Sequence, residues 1–265
     1  MTAAQNPAPA DPAPADWAGS RGAKWLHNLD RMEAMLAPVG EGLIAHAALQ
    51  SGESVVDIGS GGGWTSARAA EAVGPRGCVL GLDISAALVA EAGRRYAHLP
   101  QLGFRAGDAA GEPPPGTPFG RLLSRFGVMF FADPAAAFAR LARLLIPGGR
   151  MDVAVWADPA LNPWIGEVNR VVRQHIELPK AEPMAPGPFQ LADEALLDGV
   201  LAAAGFTDIS RTLVQRPLHI GGPGTSPTDA ADFTLRAFGV GEVLEKAPPE
   251  VQAAATAHLA ASYAQ

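Results

Sequence analysis

The sequence predicts an α/β fold with a mostly parallel, doubly wound sheet and helices on both faces. Short apolar runs of strand length alternate with helical patterns between residues 54 and 156. Gly or Asp follows most of these runs, where the chain leaves a strand. Alternation of this kind is typical of parallel strands joined by right-handed helical crossovers. The 265 residues suffice for one sizeable core but leave little room for two independent domains.

The first residues precede this alternation. Residues 1–20 are rich in Ala and Pro and lack apolar periodicity, which predicts a flexible arm. Apolar residues at helical spacing then predict one helix over residues 21–36 and a second over residues 40–49. We therefore expect the arm to be followed by a single domain over residues 21–265.

The alternating region contains five predicted strands. They cover residues 54–58, 78–82, 102–106, 122–126 and 150–156. The intervening helices cover residues 65–73, 86–99 and 134–145. In a sheet of this kind, ligands bind beyond the carboxyl ends of the strands, near the point where the strand order reverses. We therefore expect the functional site at this edge of a Rossmann-like fold.

The pattern changes after Trp156. Residues 158–191 contain many prolines and predict a lid insertion after the fifth strand, with one helix over residues 165–176. The remaining predicted elements are helices over 192–204, 228–246 and 249–263 and a sixth strand over 207–220. Since the last segment has a helical pattern, we expect the C-terminal edge of the sheet to be incomplete.

Composition disfavours several classes of protein. The formal net charge is −7, whereas nucleic-acid binders usually present a basic face. No apolar stretch approaches the length of a membrane span, and the N-terminal residues lack the features of a signal peptide. The single cysteine, Cys78, excludes an internal disulfide and a multi-cysteine zinc site, and its position in a strand predicts a buried thiol. We expect a cytoplasmic monomer or homodimer that binds no nucleic acid, membrane or metal.

A glycine-rich loop follows the first strand, over residues 59–63 (GSGGG). Glycines let a backbone turn sharply and approach a ligand closely, and the following helix offers free N–H groups to an anionic group. A dinucleotide-binding turn has glycine at its first, third and sixth positions. Here the sixth position is Trp64 and the third glycine comes one residue early, as Gly63. This spacing argues against a dinucleotide site.

Two carboxylates stand at the ends of the next two strands. Asp83 ends the second strand, about 20 residues after the loop, where a carboxylate can accept hydrogen bonds from both hydroxyls of an adenosine ribose. Asp108 follows the third strand and can accept from an adenine amino group. Each residue also has a structural alternative, since Asp83 could cap the next helix and Asp108 could form a turn.

These segments together resemble the class I S-adenosylmethionine-dependent methyltransferases. The first three motifs of that family are similar to residues 55–63 (VVDIGSGGG), 81–85 (GLDIS) and 106–109 (AGDA). Residues 141–149 (LARLLIPGG) resemble the family's turn before the fifth strand, and residues 124–131 (SRFGVMFF) resemble the fourth strand and loop of a small-molecule subgroup. The resemblance covers roughly residues 20–220.

The resemblance implies that S-adenosylmethionine is the cofactor and assigns residues to it. The loop would hold the methionine part, with one aspartate reaching toward the ammonium group. The second motif would hold the ribose and adenine face, and the third the adenine edge. The implied cofactor-binding residues are Asp57, Gly59, Ser60, Gly61, Gly63, Asp83, Ile84, Asp108, Ala109, Arg125 and Phe126.

The resemblance also implies an activity, the transfer of a methyl group to a small molecule, for which we expect a hydrophobic metabolite. The fourth strand is followed by no Asn-Pro-Pro-Tyr-type motif, which disfavours methylation of a nucleobase or amide nitrogen. The family's sheet usually ends with a seventh, antiparallel strand after the sixth. In this chain, residues 249–263 have a helical pattern instead.

Other functions remain open at this point. The chain could bind S-adenosylmethionine and catalyse a non-methylating reaction or serve as a binding subunit, because a fold alone does not fix chemistry. A nicotinamide-dependent reductase is disfavoured by the glycine spacing. His27 and His175 are candidate general bases, although a lone histidine is more often structural or exposed. No catalytic residue is assigned, since the sulfonium of the cofactor already activates the methyl group.

Overall fold

The computed structural model describes residues 16–179 and 186–264. Its centre is a sheet whose strands are β1 (Ser54–Ile58), β2 (Cys78–Asp83), β3 (Leu102–Ala106), β4 (Phe119–Arg125) and β5 (Leu145–Ala154). The spatial order is β3-β2-β1-β4-β5, and every neighbouring pair is parallel. The chain order therefore reverses between β1 and β4, where a ligand site is expected.

Helices flank this sheet and continue beyond it. They are α1 (Ser20–His27), α2 (Leu29–Ala47), α3 (Trp64–Val73), α4 (Ala86–Arg95), α5 (Pro134–Ala142), α6 (Pro163–Val172), α7 (Glu194–Ala203), α8 (Pro227–Ala237), α9 (Gly239–Leu244) and α10 (Pro249–Tyr263). Successive residues of β1 belong to different apolar clusters, Val55 packing with α3 and Val56 with α2. Since side chains alternate between the faces of a strand, both faces of the sheet are covered. The predicted fold class is confirmed.

The N-terminal helices differ from their prediction. The break lies at Asn28, and α2 then runs unbroken through Pro38, where the sequence predicts a gap between two helices. A proline inside a helix removes one backbone hydrogen bond. Here Met32, Met35 and Leu36 are almost fully buried along α2, and this packing holds the helix together across the proline.

The predicted sixth strand is wrong. Residues 207–220 form no strand, and Ile209, Leu213 and Val214 on this segment are exposed. Strand-forming residue types are not enough, because a strand also needs a hydrogen-bonding neighbour and a surface to pack on. Within the described ranges the sheet ends at β5, so the expected incomplete edge is confirmed for this part of the chain.

A second group of helices packs away from the sheet. Buried residues of α6, α8, α9 and α10 form their own apolar cluster, which includes Val168, Ala231 and Leu259. None of the helices in residues 16–179 and 186–264 combines the length and apolar character needed to cross a bilayer. Cys78 is exposed at the start of β2, so the predicted buried thiol is wrong.

Two predicted features lie partly outside the described residues. Most of the predicted arm falls on residues 1–15, and residues 180–185 belong to the predicted lid. The described part of the lid contains α6, which begins and ends slightly before the helix predicted over residues 165–176. The single-domain organisation and the lid stay predictions.

Candidate functional site

A cavity of about 940 Å³ opens at the carboxyl ends of β1 to β4. Pockets for one small ligand usually measure about 300–1,000 Å³, so this cavity has room for a cofactor and a second molecule. Asp57 and Gly63 lie beneath the cavity rather than on its surface. The other predicted site residues line it, namely Gly59, Ser60, Gly61, Asp83, Ile84, Asp108, Ala109, Arg125 and Phe126.

The glycine loop needs its glycines for conformation and for space. Gly59, Gly61 and Gly63 have φ of +69°, +54° and +87°, a region that other residues rarely adopt. A Cβ on Gly59 would lie 2.7 Å from the Cα of Gly127, so the loops after β1 and β4 touch backbone to backbone. A Cβ on Gly63 would lie 2.6 Å from the Phe104 ring. Gly63 therefore serves helix packing.

Asp83 connects the glycine loop to the next helix. Its two carboxylate oxygens accept the backbone N–H groups of Gly61 and Ser85, each at 2.8 Å. Burial raises the pKa of Asp83, and these two hydrogen bonds oppose the rise. Each oxygen keeps a further lone pair, which fits the two hydroxyls of a ribose. Ser85 itself caps α4 by accepting the Leu88 N–H, so Asp83 does not act as the cap.

The walls beside Asp83 suit a flat base. Ile84 is 49% exposed although it is a large apolar residue, and it lines the cavity. Asp108 accepts the Ala110 N–H at 2.8 Å, so it does form the turn that was its structural alternative. It lines the cavity beside Ala109 at the end of β3, so its role in the turn does not remove it from the cavity wall.

Buried polar atoms lie under the loop without partners. Asp57 is fully buried, and its Oδ2 accepts the Ser66 hydroxyl at 2.6 Å. Its Oδ1 and the Ser60 Oγ have no hydrogen-bond partner among the described residues. Because unsatisfied buried polar atoms are costly and rare, a ligand that supplies polar hydrogens fits here. The ammonium group of the cofactor's methionine part has that chemistry.

Burial also changes the acidity of Asp57. It raises the pKa of this carboxyl from 3.8 to about 7. The Ser66 hydrogen bond and the charge of Arg125 act in the opposite direction but do not offset the burial. A cation bound above the loop would favour the ionised form of Asp57.

Arg125 is held by the protein. Its guanidinium forms a buried ion pair with Glu33 of α2 and lies 5.2 Å from the centroid of the Trp64 ring. Sequence reasoning missed Glu33, which also lines the cavity. A signal was present, because Glu33 is a charged residue beside Met32 on the buried side of an apolar helix.

Aromatic rings form the other end of the cavity. Phe126 stacks on Trp156 with ring centroids 4.4 Å apart. The ring centroids of Trp156 and Trp164 of α6 are 5.7 Å apart, and those of Trp164 and Phe238 are 5.3 Å apart. The sequence singled out Phe126, but the three other rings come from separate parts of the chain and carry no local motif. Phe126 has φ +65°, an uncommon conformation that this stacking supports.

No histidine lies among the described residues that line the cavity. His175 contacts His258 at 3.2 Å between ring nitrogens, outside this cavity, and His27 is exposed on α1. The described residues also contain no cluster of three or more His, Cys, Asp or Glu side chains suited to a metal ion. The geometry therefore assigns no general base.

Comparisons with known proteins agree with this arrangement. A family model described as "Methyltransferase domain" matches residues 55–149. The aklanonic acid methyltransferase DauC of Streptomyces sp. (strain C5) is 34% identical over 116 residues, which cover 43% of this chain and 53% of DauC. The chain's matches span only 37–53% of the lengths of the first four curated relatives.

Two further matches extend over more of the molecule. A solved structure of a SAM-dependent methyltransferase from Aquifex aeolicus has a TM-score of 0.50 and 18% identity, with 70% of this chain and 88% of that chain covered, which shows a shared fold. The trans-aconitate 2-methyltransferase of Methylobacterium nodulans is 32% identical over 202 residues, covering 75% of this chain and 72% of that protein. The chain therefore belongs to the class I S-adenosylmethionine-dependent methyltransferases, and the family and cofactor predicted from its sequence are confirmed.

Proposed function

We propose that this protein binds S-adenosylmethionine at the glycine-loop end of the cavity and transfers its methyl group to a hydrophobic small molecule at the aromatic end. One observation carries the proposal: a single cavity of about 940 Å³ is lined both by the loop with Asp83 and by Trp156 and Trp164. The relatives named above are called aklanonic acid and trans-aconitate methyltransferases, and both names refer to small molecules.

The proposed methyl transfer requires little direct chemical participation by the side chains. The bound cofactor supplies a methyl group already activated by its sulfonium. The residues of this chain hold and align the two reactants: Asp83 takes the ribose, the glycine loop above Asp57 takes the ammonium group, and the aromatic rings take the acceptor. Alignment and exclusion of water from an apolar cavity account for acceleration without a dedicated base. We expect the acceptor to lose its proton to water or to a basic group of its own.

The proposal predicts a loss of affinity when Asp83 is removed. Asp83→Ala should weaken binding of S-adenosylhomocysteine at least about tenfold, or about 1.4 kcal/mol, because an acceptor for ribose hydroxyls is lost. Calorimetric titration measures this. Asp30→Ala is the matched control, since it removes the same charge from a side chain that is 84% exposed and does not line the cavity.

The same titrations separate the alternatives. Unchanged affinity in Asp83→Ala would contradict the ribose assignment, and binding of NADH in place of S-adenosylhomocysteine would contradict the proposal as a whole. Tight binding of S-adenosylmethionine without its conversion to S-adenosylhomocysteine in the presence of any bound acceptor would favour the non-methylating alternative. A cytoplasmic location, a monomeric or homodimeric state and the absence of nucleic-acid partners stay predictions from the sequence.

A further inference from the structure

Helix α6 presents a stripe of one apolar and two polar residues to the aromatic end of the cavity. Ile165, Asn169 and Arg173 are spaced four residues apart and all line the cavity, Arg173 as the residue that ends the helix. The adjoining face of α6 packs through the fully buried Val168, Val171 and Val172 against the helical cluster that contains α10. The orientation of the stripe is therefore fixed by packing.

Arg173 differs from the other cations of the cavity. Among the described residues, five cationic side chains line the cavity and four are already engaged: Arg21 and Lys24 by Glu242, Arg125 by Glu33, and Arg140 by the Ala110 carbonyl. The Arg173 guanidinium forms neither an ion pair nor a hydrogen bond with any residue within 16–179 or 186–264, whereas the backbone N–H of Arg173 donates to the Asn169 carbonyl at 3.0 Å. The five N–H donors of the guanidinium are thus open to a ligand.

The acidic residues among the described lining of the cavity are also engaged, as hydrogen-bond acceptors or in ion pairs. Each accepts hydrogen bonds or an ion pair from the protein: Glu33 from Arg125, Asp83 from Gly61 and Ser85, Asp108 from Ala110, Asp133 from Ala136, and Glu242 from Arg21. These bonds use part of the hydrogen-bonding capacity of each carboxylate, whereas no bond to a described residue uses the Arg173 guanidinium. An anionic acceptor would meet Arg173 and the amide of Asn169 without breaking any of them.

Resting on the proposed function, we propose that the methyl acceptor carries a carboxylate, which Arg173 binds with help from the Asn169 amide. The apolar body of the acceptor packs on Trp156 and Trp164. Arginine recognises carboxylates through paired, charge-assisted hydrogen bonds, which gives orientation as well as affinity. From Ile165 to Arg173 the stripe extends about 12 Å, the rise of eight helical residues, so the cavity wall matches a molecule larger than a simple aliphatic acid.

A pair of probes that differ in charge tests this inference. We would titrate 2-naphthoate and its neutral analogue 2-naphthamide into protein saturated with S-adenosylhomocysteine. The wild type should bind the acid at least about tenfold more tightly than the amide, and salt should weaken this preference. Arg173→Met should abolish the preference, and Arg173→Lys should keep part of it.

Arg170→Met is the matched control. Arg170 lies on the same helix, pairs with Glu167 and does not line the cavity, so this variant should keep the preference for the acid. Equal binding of acid and amide by the wild type, a preference that survives in Arg173→Met, or failure of both probes to bind would overturn the inference. Absence of S-adenosylhomocysteine binding would instead contradict the proposed function, and the acid–amide comparison on the cofactor-free protein would still decide the role of Arg173.

Discussion

At the scale of single residues, Asp57 couples the stability of the protein to pH. Because burial raises its pKa from 3.8 to about 7, the folded protein retains a proton that the unfolded chain releases. Its stabilising contribution is therefore complete below about pH 3.8 and is lost as the pH rises through about 7. Asp57→Asn should become progressively more stable relative to the wild type from pH 4 to pH 8 in denaturant unfolding. A difference that does not change with pH would contradict the assignment.

The protonation state of Asp57 should also change when the cofactor product binds. An ammonium group bound above Asp57 favours its ionised form, so binding of S-adenosylhomocysteine near pH 7 should release up to about half a proton, because the carboxyl is about half protonated at that pH. Calorimetric titration in two buffers with different ionisation enthalpies measures this release, because the apparent binding enthalpy differs between the buffers in proportion to the protons released. Asp57→Asn should bind with no release, and an unchanged release in this variant would place the ammonium group elsewhere.

Gly127 shows how closely the loops of the site approach each other. A Cβ there would lie 2.5 Å from the Ile58 carbonyl oxygen and 2.9 Å from the Cα of Gly59, both backbone atoms with little freedom to move. Gly127→Ala should therefore destabilise the fold by about 1–3 kcal/mol and weaken cofactor binding. Gly93→Ala is the control, because a Cβ on this helical glycine meets nothing within 4 Å. It should be neutral or stabilising by up to about 1 kcal/mol in thermal unfolding.

The residues that a sequence can place in this site are those at strand ends. Gly59, Asp83 and Asp108 were predicted because strand ends are readable from local pattern, and the carboxyl ends of parallel strands meet at one edge. Glu33 was missed because its partner Arg125 is 92 residues away. Pairings of this kind depend on how helices pack and leave no trace in local spacing.

At the scale of elements, packing determined whether a segment formed the helix or strand that its residue types allow. Helix α2 continues across Pro38 because its buried face is shared with the sheet, whereas residues 207–220 form no strand despite suitable residue types. A helix satisfies its backbone hydrogen bonds within itself, but a strand depends on a neighbouring strand that is often distant in the sequence. The first five strands and most helices were therefore predictable, whereas the break between α1 and α2 and the absence of the sixth strand were not.

Helix α10 should depend on its buried apolar contacts. Leu259 is fully buried in the cluster with α6 and α8, so Leu259→Ala should lower the free energy of unfolding by about 2–5 kcal/mol. Leu213→Ala removes the same atoms from a side chain that is 61% exposed, and it should change stability by less than about 0.5 kcal/mol. Denaturant titration of both variants gives the comparison. Equal effects would mean that α10 contributes little to the folded state.

At the scale of the whole molecule, the cavity joins two parts of the fold. Local sequence motifs predict one part, and packing between distant segments forms the other. The cofactor end of the cavity is made from loops after successive strands, which local motifs predict. Its other end is made from Trp156, α6 and Phe238, which come together only through the packing of the helical cluster on the sheet. The cofactor was therefore predictable from the sequence, whereas the acceptor had to be inferred from side chains that the fold assembles.

This division predicts an order of protection when ligands bind. S-adenosylhomocysteine alone should slow backbone amide exchange in residues 59–63 and 83–85, because it contacts only the loops of the cofactor end. Addition of 2-naphthoate should then slow exchange in residues 163–173, which lie in the predicted lid and line the acceptor end. Helix α10 lines no part of the cavity and serves as the internal control in the same mass-spectrometric measurement. If S-adenosylhomocysteine alone protected residues 163–173 as strongly as the loops, the two ends would not be separate binding regions, and the assignment of the acceptor to α6 would fail.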